Sequence, residues 1–429
     1  MLDVREVDVG LKSRIVAILD RRLSRDTTAP VAVALSGGGD SIALLLFAAD
    51  WAKMRGRRLL ALTVDHRVQS ESANWTAFAR SAALSAGAEW RGLVWGGVKP
   101  KTGLQAAARA ARHALIADAA REAGAAVVLF GHTQDDVREA ERMRDEGSTL
   151  GRVREWSPSP AWPQGRALFL LRPLLDVSRA ELRTYLRALD CDWIEDPANA
   201  DLRYARSRAR AATGDTFAVS GSEPDPRMSH AAQTARVDAA GVISWPRAVE
   251  TPRAFLAAAL LCAAGGARPP RGHSLERLAR RLAAGESFST TLAGARIEAD
   301  AVEVRLMRDA GEMARGGLAP MTLAPGRAQV WDGRFETVSE TGGEIRPLKG
   351  LAAALSRPER EEILRFAAHA RPSLPVLTQS PGLSPVLAAR AGRVRALAGP
   401  RLWAACGLVA HEGDIAVMSR GAGGTASLC

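Results

Sequence analysis

The chain has 429 residues, of which 47% are hydrophobic and 24% are charged. This composition is typical of a globular protein of two or three domains, and it excludes the disordered and fibrous classes. The 58 Lys and Arg outnumber the 47 Asp and Glu by 11, which favours an acidic partner such as nucleic acid. Only five of the cations are lysine, so the codon bias of a GC-rich genome explains the excess about equally well.

The four cysteines indicate a reducing compartment. They are too far apart for a CxxC pair or a zinc cluster, and too few for a disulfide-stapled secreted domain. The first ten residues lack the apolar stretch of a signal peptide, and the longest apolar runs fall short of the ~20 residues that span a bilayer. We expect a cytoplasmic protein without a membrane segment.

The predicted elements of the first 144 residues alternate between helix and strand. Helices are predicted at 11–24, 41–53, 72–86, 104–123 and 133–144, and strands at 31–35, 59–64, 91–95 and 126–130. Apolar strands that alternate with amphipathic helices predict a parallel sheet covered on both faces. Ligands of such sheets bind at the carboxyl ends of the strands.

The rest of the chain is less regular. Residues 147–164 are rich in Gly, Ser and Pro and predict a surface loop or flap, and Ser178 with Glu181 predicts a capped helix at 178–189. A polar segment at 214–226 is the best linker candidate. We therefore predict three domains: an α/β domain at 1–214, a small mainly helical domain at 227–312 closed by a strand pair (288–292 and 302–306), and a C-terminal α+β domain at 315–429.

A glycine-rich loop directly follows the first predicted strand. Consecutive glycines let backbone N–H groups converge on phosphate oxygens, and the following helix adds its dipole. Asp40 is the natural magnesium ligand in a site otherwise built for anions. The loop is not a Walker A motif, because no lysine follows a glycine here. The candidate ligands of ATP and pyrophosphate are Ser36, Gly37, Gly38, Gly39, Asp40 and Ser41.

Two further segments place charge at the same edge of the predicted sheet. Asp65 ends the second strand, where it can accept hydrogen bonds from an adenine or a ribose or else support the start of the next helix. Arg109 and Arg112 lie three residues apart, so both can reach one anion. Ordinary solvated arginines would give the same pattern.

The segment after the fourth strand carries His132, Asp136 and Glu139. Two carboxylates beside a phosphate loop suggest that a cation binds there. Complementation of a helix dipole explains Asp136 but not His132. Farther along, the stretch 203–210 holds a row of arginines that suits phosphate contacts on RNA; we select Arg203, Arg206 and Arg210.

Together these segments resemble the PP-loop ATP pyrophosphatase superfamily, and within it the tRNA(Ile)-lysidine synthetase family. The resemblance covers residues 28–210 and rests on the Ser36–Ser41 loop, the strand ending Val-Asp-His at 64–66, the Gly131–Glu139 segment, and the Arg-Pro-Leu-Leu and Glu-Asp-Pro-Ala-Asn segments at 172–175 and 195–199. The chain departs from the family pattern at Thr133, at Ala140 and in the loop at 145–148.

The resemblance implies a ligase that joins lysine to C2 of the wobble cytidine of an isoleucine tRNA with a CAU anticodon. ATP is the co-substrate, with Mg²⁺ at Asp40, and an adenylated cytidine is the intermediate. It assigns catalysis to Asp40, Arg112 and His132, nucleotide binding to the loop and Asp65, lysine binding to Asp136 and Glu139, and tRNA binding to Arg203, Arg206 and Arg210.

Two alternatives remain at this point. A tRNA thiolase of the same superfamily typically needs a cysteine pair to deliver sulfur, and the chain offers none. A non-catalytic RNA-binding relative would have no use for an intact pyrophosphate loop. The sequence leaves the oligomeric state open, with a homodimer as one candidate.

Overall fold

A computed structural model of the chain describes residues 4–145, 153–195, 225–266, 269–270, 272–380 and 382–420. The chain divides into two compact units, Met1–Ser222 with Ala410–Ala416 and Glu223–Val409 with Val417–Cys429. Elements are numbered in chain order over the described residues. None of the helices in these ranges is long and apolar enough to cross a membrane.

The first unit is built on a six-stranded sheet of order β3-β2-β1-β4-β6-β5. All neighbouring strands are parallel except β5, which pairs antiparallel with β6. Its central strands are short and wholly apolar, as expected for a sheet covered on both faces. The strands are β1 Val31–Ala34, β2 Leu59–Asp65, β3 Glu89–Val94, β4 Val127–Leu129, β5 Trp156–Pro158 and β6 Phe169–Leu171.

The structure describes six helices between residues 4 and 195 of this unit, and their order confirms the predicted parallel α/β fold. Ser178 caps the last of them in the predicted capping box with Glu181. The helices are α1 Val4–Arg22, α2 Gly39–Arg55, α3 Ser72–Ser85, α4 Leu104–Glu122, α5 Gln134–Asp145 and α6 Arg179–Ala188.

Part of the segment predicted as a surface loop belongs to the sheet. That prediction is wrong for residues 156–158, which form β5 at the edge of the sheet. Trp156 stacks on Phe169 of the neighbouring strand, with 4.9 Å between ring centroids. This aromatic pair supports a three-residue strand that its one proline and one serine disfavour. Residues 146–152 lie outside the described ranges, as does the predicted linker up to residue 224.

The second unit contains more β-structure than the sequence suggested. Its first part is a five-stranded antiparallel sheet of order β7-β8-β11-β10-β9. The predicted pairing of 288–292 with 302–306 is wrong, because β10 lies between these two strands. The elements are α7 Pro226–Thr234, β7 Arg236–Val237, β8 Ile243–Pro246, α8 Arg253–Ala264, α9 His273–Ala283, β9 Phe288–Leu292, β10 Ala295–Ala299 and β11 Glu303–Arg308.

The remainder of this unit has two further sheets, of order β12-β15-β16-β17 and β13-β14-β18. Ala398 and Leu402 share one hydrophobic core with Phe255 and Leu256, so the helix at 398–405 packs on α8. The three-domain division stays a prediction. The elements are β12 Met321–Leu323, β13 Gln329–Trp331, β14 Phe335–Val338, β15 Gly343–Pro347, α10 Arg357–Ile363, β16 Pro375–Thr378, β17 Val386–Leu387, α11 Ala388–Ala391, β18 Arg393–Ala396 and α12 Ala398–Ala405. A last helix, α13 Glu412–Arg420, begins in residues that belong to the first unit.

A buried ion pair fastens residues 410–416 to the first unit. The Arg57 guanidinium donates to both carboxylate oxygens of Glu412 at 3.0 Å, and the backbone N–H of Ser24 donates to the same carboxylate at 2.8 Å. Both charged side chains are almost completely buried. Removing one partner of such a pair leaves an uncompensated charge in the interior, which is far costlier than losing a surface pair.

We therefore expect Glu412→Gln to lower the free energy of unfolding of the first unit by about 3 kcal/mol, because Arg57 keeps its charge without a counter-ion. Urea titration measures the loss. The matched control is Glu89→Gln, since Glu89 pairs with Arg58 on the surface in the same two-pronged way and should produce no measurable change. Equal effects of the two substitutions would contradict this account of the Glu412 pair.

Candidate active site

The candidate site lies where β1 and β4 end side by side. The chain leaves β1 toward β2 on one side of the sheet and leaves β4 toward β6 on the other, so this is the switch point of the sheet. The loops that follow the two strands touch each other. A Cβ atom on Gly131 would lie 2.9 Å from the carbonyl oxygen of Asp40, and only glycine permits this approach.

The Ser36–Ser41 loop connects β1 to α2 in a conformation that depends on glycine. Gly37 has a φ of +86°. The Ser41 hydroxyl donates to the Gly38 carbonyl at 2.8 Å and accepts from the Ser36 backbone N–H at 3.2 Å. Gly38 precedes the first turn of α2 without a side chain that caps it. The N-terminal N–H groups of the helix are therefore not masked by a capping side chain, which suits a phosphate ligand.

A second segment, which contains Ile194, packs against this loop. The backbone N–H of Ile194 donates to the Gly37 carbonyl at 2.9 Å, and Ile194 forms a parallel bridge with Gly38. A Cβ on Gly37 would lie 2.6 Å from Ile194 Cδ1. The segment before Glu195 thus fixes the phosphate loop. Residues 196–224, including Arg203, Arg206 and Arg210, lie outside the described ranges.

Three carboxylates, one from the Ser36–Ser41 loop and two from α5, converge on one arginine, and we call these four residues the Arg179 cluster. Arg179 Nε lies 3.2 Å from Asp40 Oδ2, Nη2 lies 2.9 Å from Asp136 Oδ1, and Nη1 lies 2.8 Å from Glu139 Oε1. Asp136 and Glu139 are only 8% and 4% exposed. The structure brings together the predicted metal ligand and both predicted lysine ligands.

The charges of the Arg179 cluster shift the pKa values of its members. Burial raises the pKa of Asp40 and outweighs the opposing charges of Arg179 and Arg183. Burial alone would lower the pKa of the Arg179 guanidinium, but Asp136, Glu139 and Asp40 outweigh it and raise that pKa. Arg179 is therefore a permanent cation in this site.

Sequence reasoning missed both Arg179 and Arg183. They occupy the first and fifth positions of α6, one turn apart, so they lie on one face of the helix. Arg183 Nη1 lies 3.1 Å from Asp40 Oδ1, and its guanidinium stacks on Trp193 at 5.0 Å. The spacing of the two arginines in a capped helix was the available signal. It could not show that both pair with Asp40, which lies more than a hundred residues earlier in the chain.

His132 lies at the end of β4, as predicted, and is held by Arg172. Arg172 Nε donates to His132 Nδ1 at 3.1 Å, and Arg172 Nη1 donates to the Arg154 carbonyl and to Ser157 Oγ. Burial and the charge of Arg172 hold the pKa of His132 well below its usual range. Because Nδ1 accepts, the neutral ring carries its proton on Nε2, and His132 can act only as a donor there.

Arg112 belongs to the same electrostatic environment. Burial, followed by the charges of Arg109 and Arg112, lowers the pKa of His113 to about 3. Burial and then Arg112 also lower the pKa of His66. His113 stacks on Phe130, with 5.3 Å between ring centroids. The structure therefore places Arg112 beside the histidines at the carboxyl edge of the sheet, where an anion is attracted.

Asp65 ends β2 and has a local partner. Its Oδ1 accepts from the backbone N–H of Arg67 at 2.8 Å, and Arg67 adopts a φ of 51°. It does not cap the next helix, since α3 begins after Glu71. Its assignment to the nucleotide stays a prediction.

The donor set around Asp40 suits magnesium only in company with a nucleotide. Both Asp40 oxygens accept from arginines, and in the part of the chain that the structure describes no three His, Cys, Asp or Glu side chains are grouped to hold a metal ion. Magnesium in nucleotide enzymes is typically held by one or two carboxylates plus substrate phosphates. Asp40 beside the phosphate loop supplies such a carboxylate.

A parallel sheet with this loop at its switch point defines an ATP-binding PP-loop domain, and residues 11–215 match the family described as "PP-loop domain". The chain is 50% identical over 407 residues to tRNA(Ile)-lysidine synthase of Caulobacter vibrioides, covering 92% of this chain and 98% of that relative. The enzyme of that name from Hyphomonas neptunium is 36% identical over 343 residues, covering 74% and 91%. This chain belongs to the tRNA(Ile)-lysidine synthase family, which confirms the resemblance.

Among solved structures, the U34-tRNA thiolase NcsA from Methanococcus maripaludis with its [4Fe-4S] cluster is similar to this chain at a TM-score of 0.40 and 19% identity. The match covers 47% of this chain and 72% of the thiolase chain.

The low pKa of His113 makes stability depend on pH. Between its ordinary pKa of 6.5 and its folded value of about 3, the unfolded chain binds a proton that the folded chain does not, so stability falls as pH falls. Lowering the pH from 7.5 to 5.0 should reduce the free energy of unfolding of the wild type by about 2 kcal/mol more than that of His113→Phe. Urea titration at the two pH values measures both losses. Equal losses in both proteins would show that His113 does not carry this linkage.

Proposed function

We propose that this chain ligates lysine to C2 of the wobble cytidine in an isoleucine tRNA with a CAU anticodon. The observation that carries the proposal is the pair of buried carboxylates, Asp136 and Glu139, beside a phosphate loop. Phosphates need cations, so carboxylates at this place favour a second, cationic substrate. The near full-length similarity to lysidine synthases supports lysine as that substrate.

In the first step, the cytidine O2 attacks the α-phosphorus of ATP, and the bond to pyrophosphate breaks. The charge that develops on pyrophosphate is stabilised by the backbone N–H groups of the Gly37–Ser41 loop. Asp40 would hold Mg²⁺, which when bound neutralises phosphate charge. Arg112 attracts the α-phosphate, and His132 donates its Nε2 hydrogen to the nucleotide or a phosphate.

In the second step, the ε-amine of lysine attacks C2, the C–O bond to AMP breaks, and the amine loses a proton. Asp136 and Glu139 hold an ammonium group of lysine. Asp136 is oriented by Thr133, whose backbone N–H and hydroxyl both donate to Oδ2, at 2.8 and 3.1 Å. Oδ1 is thereby directed to the cation. His132 is unsuited to take the proton, because its Nδ1 already accepts from Arg172.

The thiolase alternative has less support. The chain has no CxxC pair, and Cys262 and Cys406 are buried. A homodimer stays a prediction.

The proposal is tested with labelled lysine, ATP, magnesium and two transcripts, one with a CAU and one with a GAU anticodon. Label should enter only the CAU transcript, with one AMP released per lysine incorporated. Asp40→Asn should abolish turnover and keep tRNA affinity within about twofold, since the loss is confined to the charge at the phosphate site. Release of ADP, or label in neither transcript, would overturn the proposal.

Arg203, Arg206 and Arg210 are proposed as phosphate contacts on the tRNA. Each phosphate contact adds close to one unit to the slope of log affinity against log salt concentration. Arg206→Ala and Arg210→Ala should each weaken tRNA binding and reduce that slope by about 1, as measured by filter binding between 50 and 200 mM salt. An unchanged slope would contradict the assignment, whatever happens to the affinity.

A further inference from the structure

In the Arg179 cluster, the Arg179 guanidinium occupies the place where the ammonium group of the proposed lysine substrate would bind. Asp136 Oδ1 and Glu139 Oε1 each accept from Arg179, at 2.9 and 2.8 Å. The other oxygen of Asp136 is taken by Thr133. A lysine ammonium that binds Asp136 Oδ1 and Glu139 Oε1 therefore competes with Arg179 for these two oxygens.

The two cations cannot share this site at low cost. Two like charges about 4 Å apart repel each other, and burial strengthens the repulsion because it lowers the effective dielectric constant around them. Withdrawing Arg179 without a new partner would leave a desolvated guanidinium, which is also costly. Lysine binding thus requires that Arg179 move to another anion.

A nucleotide bound at the phosphate loop provides that anion through its phosphates. Arg179 Nε already lies 3.2 Å from Asp40 Oδ2, and Asp40 is part of the loop. A guanidinium binds phosphate oxygens through two parallel hydrogen bonds, which suits a transfer from carboxylates to a polyphosphate. The side chain can make this move while its backbone stays fixed, because the Arg179 N–H donates to Asp135 Oδ2 at 2.8 Å.

We propose that Arg179 occupies the lysine site until ATP binds and then transfers to the phosphates, so that lysine binds tightly only after the nucleotide. This rests on the proposed function, in which Asp136 and Glu139 recognise lysine. Arg179 is then a positioning residue that links the two substrate sites. The order has a chemical consequence: the amine is admitted only when the group that activates the cytidine is already present.

Arg183 offers a matched control. It lies one turn later on α6 and contacts Asp40 Oδ1 at 3.1 Å. Its ion pair in the structure is with Asp40, whereas Arg179 also bonds Asp136 and Glu139. Removing Arg183 changes the charge at the phosphate loop by the same amount as removing Arg179. It leaves the occupant of the lysine site in place.

The experiment measures the lysine Kd by calorimetry, with and without magnesium and α,β-methylene-ATP, whose α–β bond cannot be cleaved. Wild type should bind lysine at least tenfold more tightly with the nucleotide, a typical coupling between two sites. Arg179→Met should reduce this ratio to about twofold or less, mainly because lysine binds more tightly in the absence of nucleotide. Arg183→Met should keep a ratio of about tenfold.

A wild-type ratio near one, or an Arg179→Met ratio equal to that of wild type, would overturn the role of Arg179 and leave lysine recognition intact. No lysine binding to wild type under either condition would overturn the proposed function as well. If Arg179→Met does not fold, as judged by thermal melting, Arg179→Lys is measured instead. Its single ammonium can satisfy fewer carboxylates than the guanidinium, so its ratio should fall below that of wild type, and an unchanged ratio overturns the proposal.

Discussion

The parallel pairing of β1 with β4 is the constraint on which the site depends. It sets the Ser36–Ser41 loop and the Gly131–Glu139 segment side by side, although ninety residues separate them in the chain. The contact closes only because Gly131 has no side chain, so that backbone meets backbone at Asp40. The Arg179 cluster follows from this, because Asp40 and the two carboxylates of α5 then lie within reach of one guanidinium.

Electrostatics divides the site into two parts with opposite demands. At one end, Arg112 and Arg172 surround histidines that burial keeps neutral, so this end attracts anions and donates hydrogen bonds. At the other end, three carboxylates are compensated by Arg179 and Arg183. Asp40 joins this second part to the phosphate loop. A reaction that brings an anionic nucleotide and a cationic amine together needs such a division.

The local patterns of the sequence were sufficient for the first four strands and the helices of the first unit but not for its ionic contacts. Strand β1, the glycine loop and the alternation of helix with strand were all predictable, since each depends on neighbouring residues. Arg179 was missed because its significance comes from Asp40 and Glu139, 139 and 40 residues distant. Strand β5 was missed because its support is the tertiary contact of Trp156 with Phe169. In the second unit, β10 was missed, and with it the true partner of β9. Ala295–Ala299 alternates between buried and half-buried residues, but its alanines and its glutamate are residue types that are depleted in strands.

The buried pair of Arg57 with Glu412 has a bearing on how the chain folds. The first unit includes residues 410–416, which follow residues 223–409 of the second unit in the chain. During synthesis, the N-terminal sheet therefore emerges from the ribosome long before Glu412 is added to the chain. The Arg57 guanidinium remains hydrated until Glu412, 355 positions downstream, has been synthesised. Such a long-range contact is closed late because its loop entropy is large. Assembly of the nucleotide-binding unit is thus completed only after translation of nearly the entire chain.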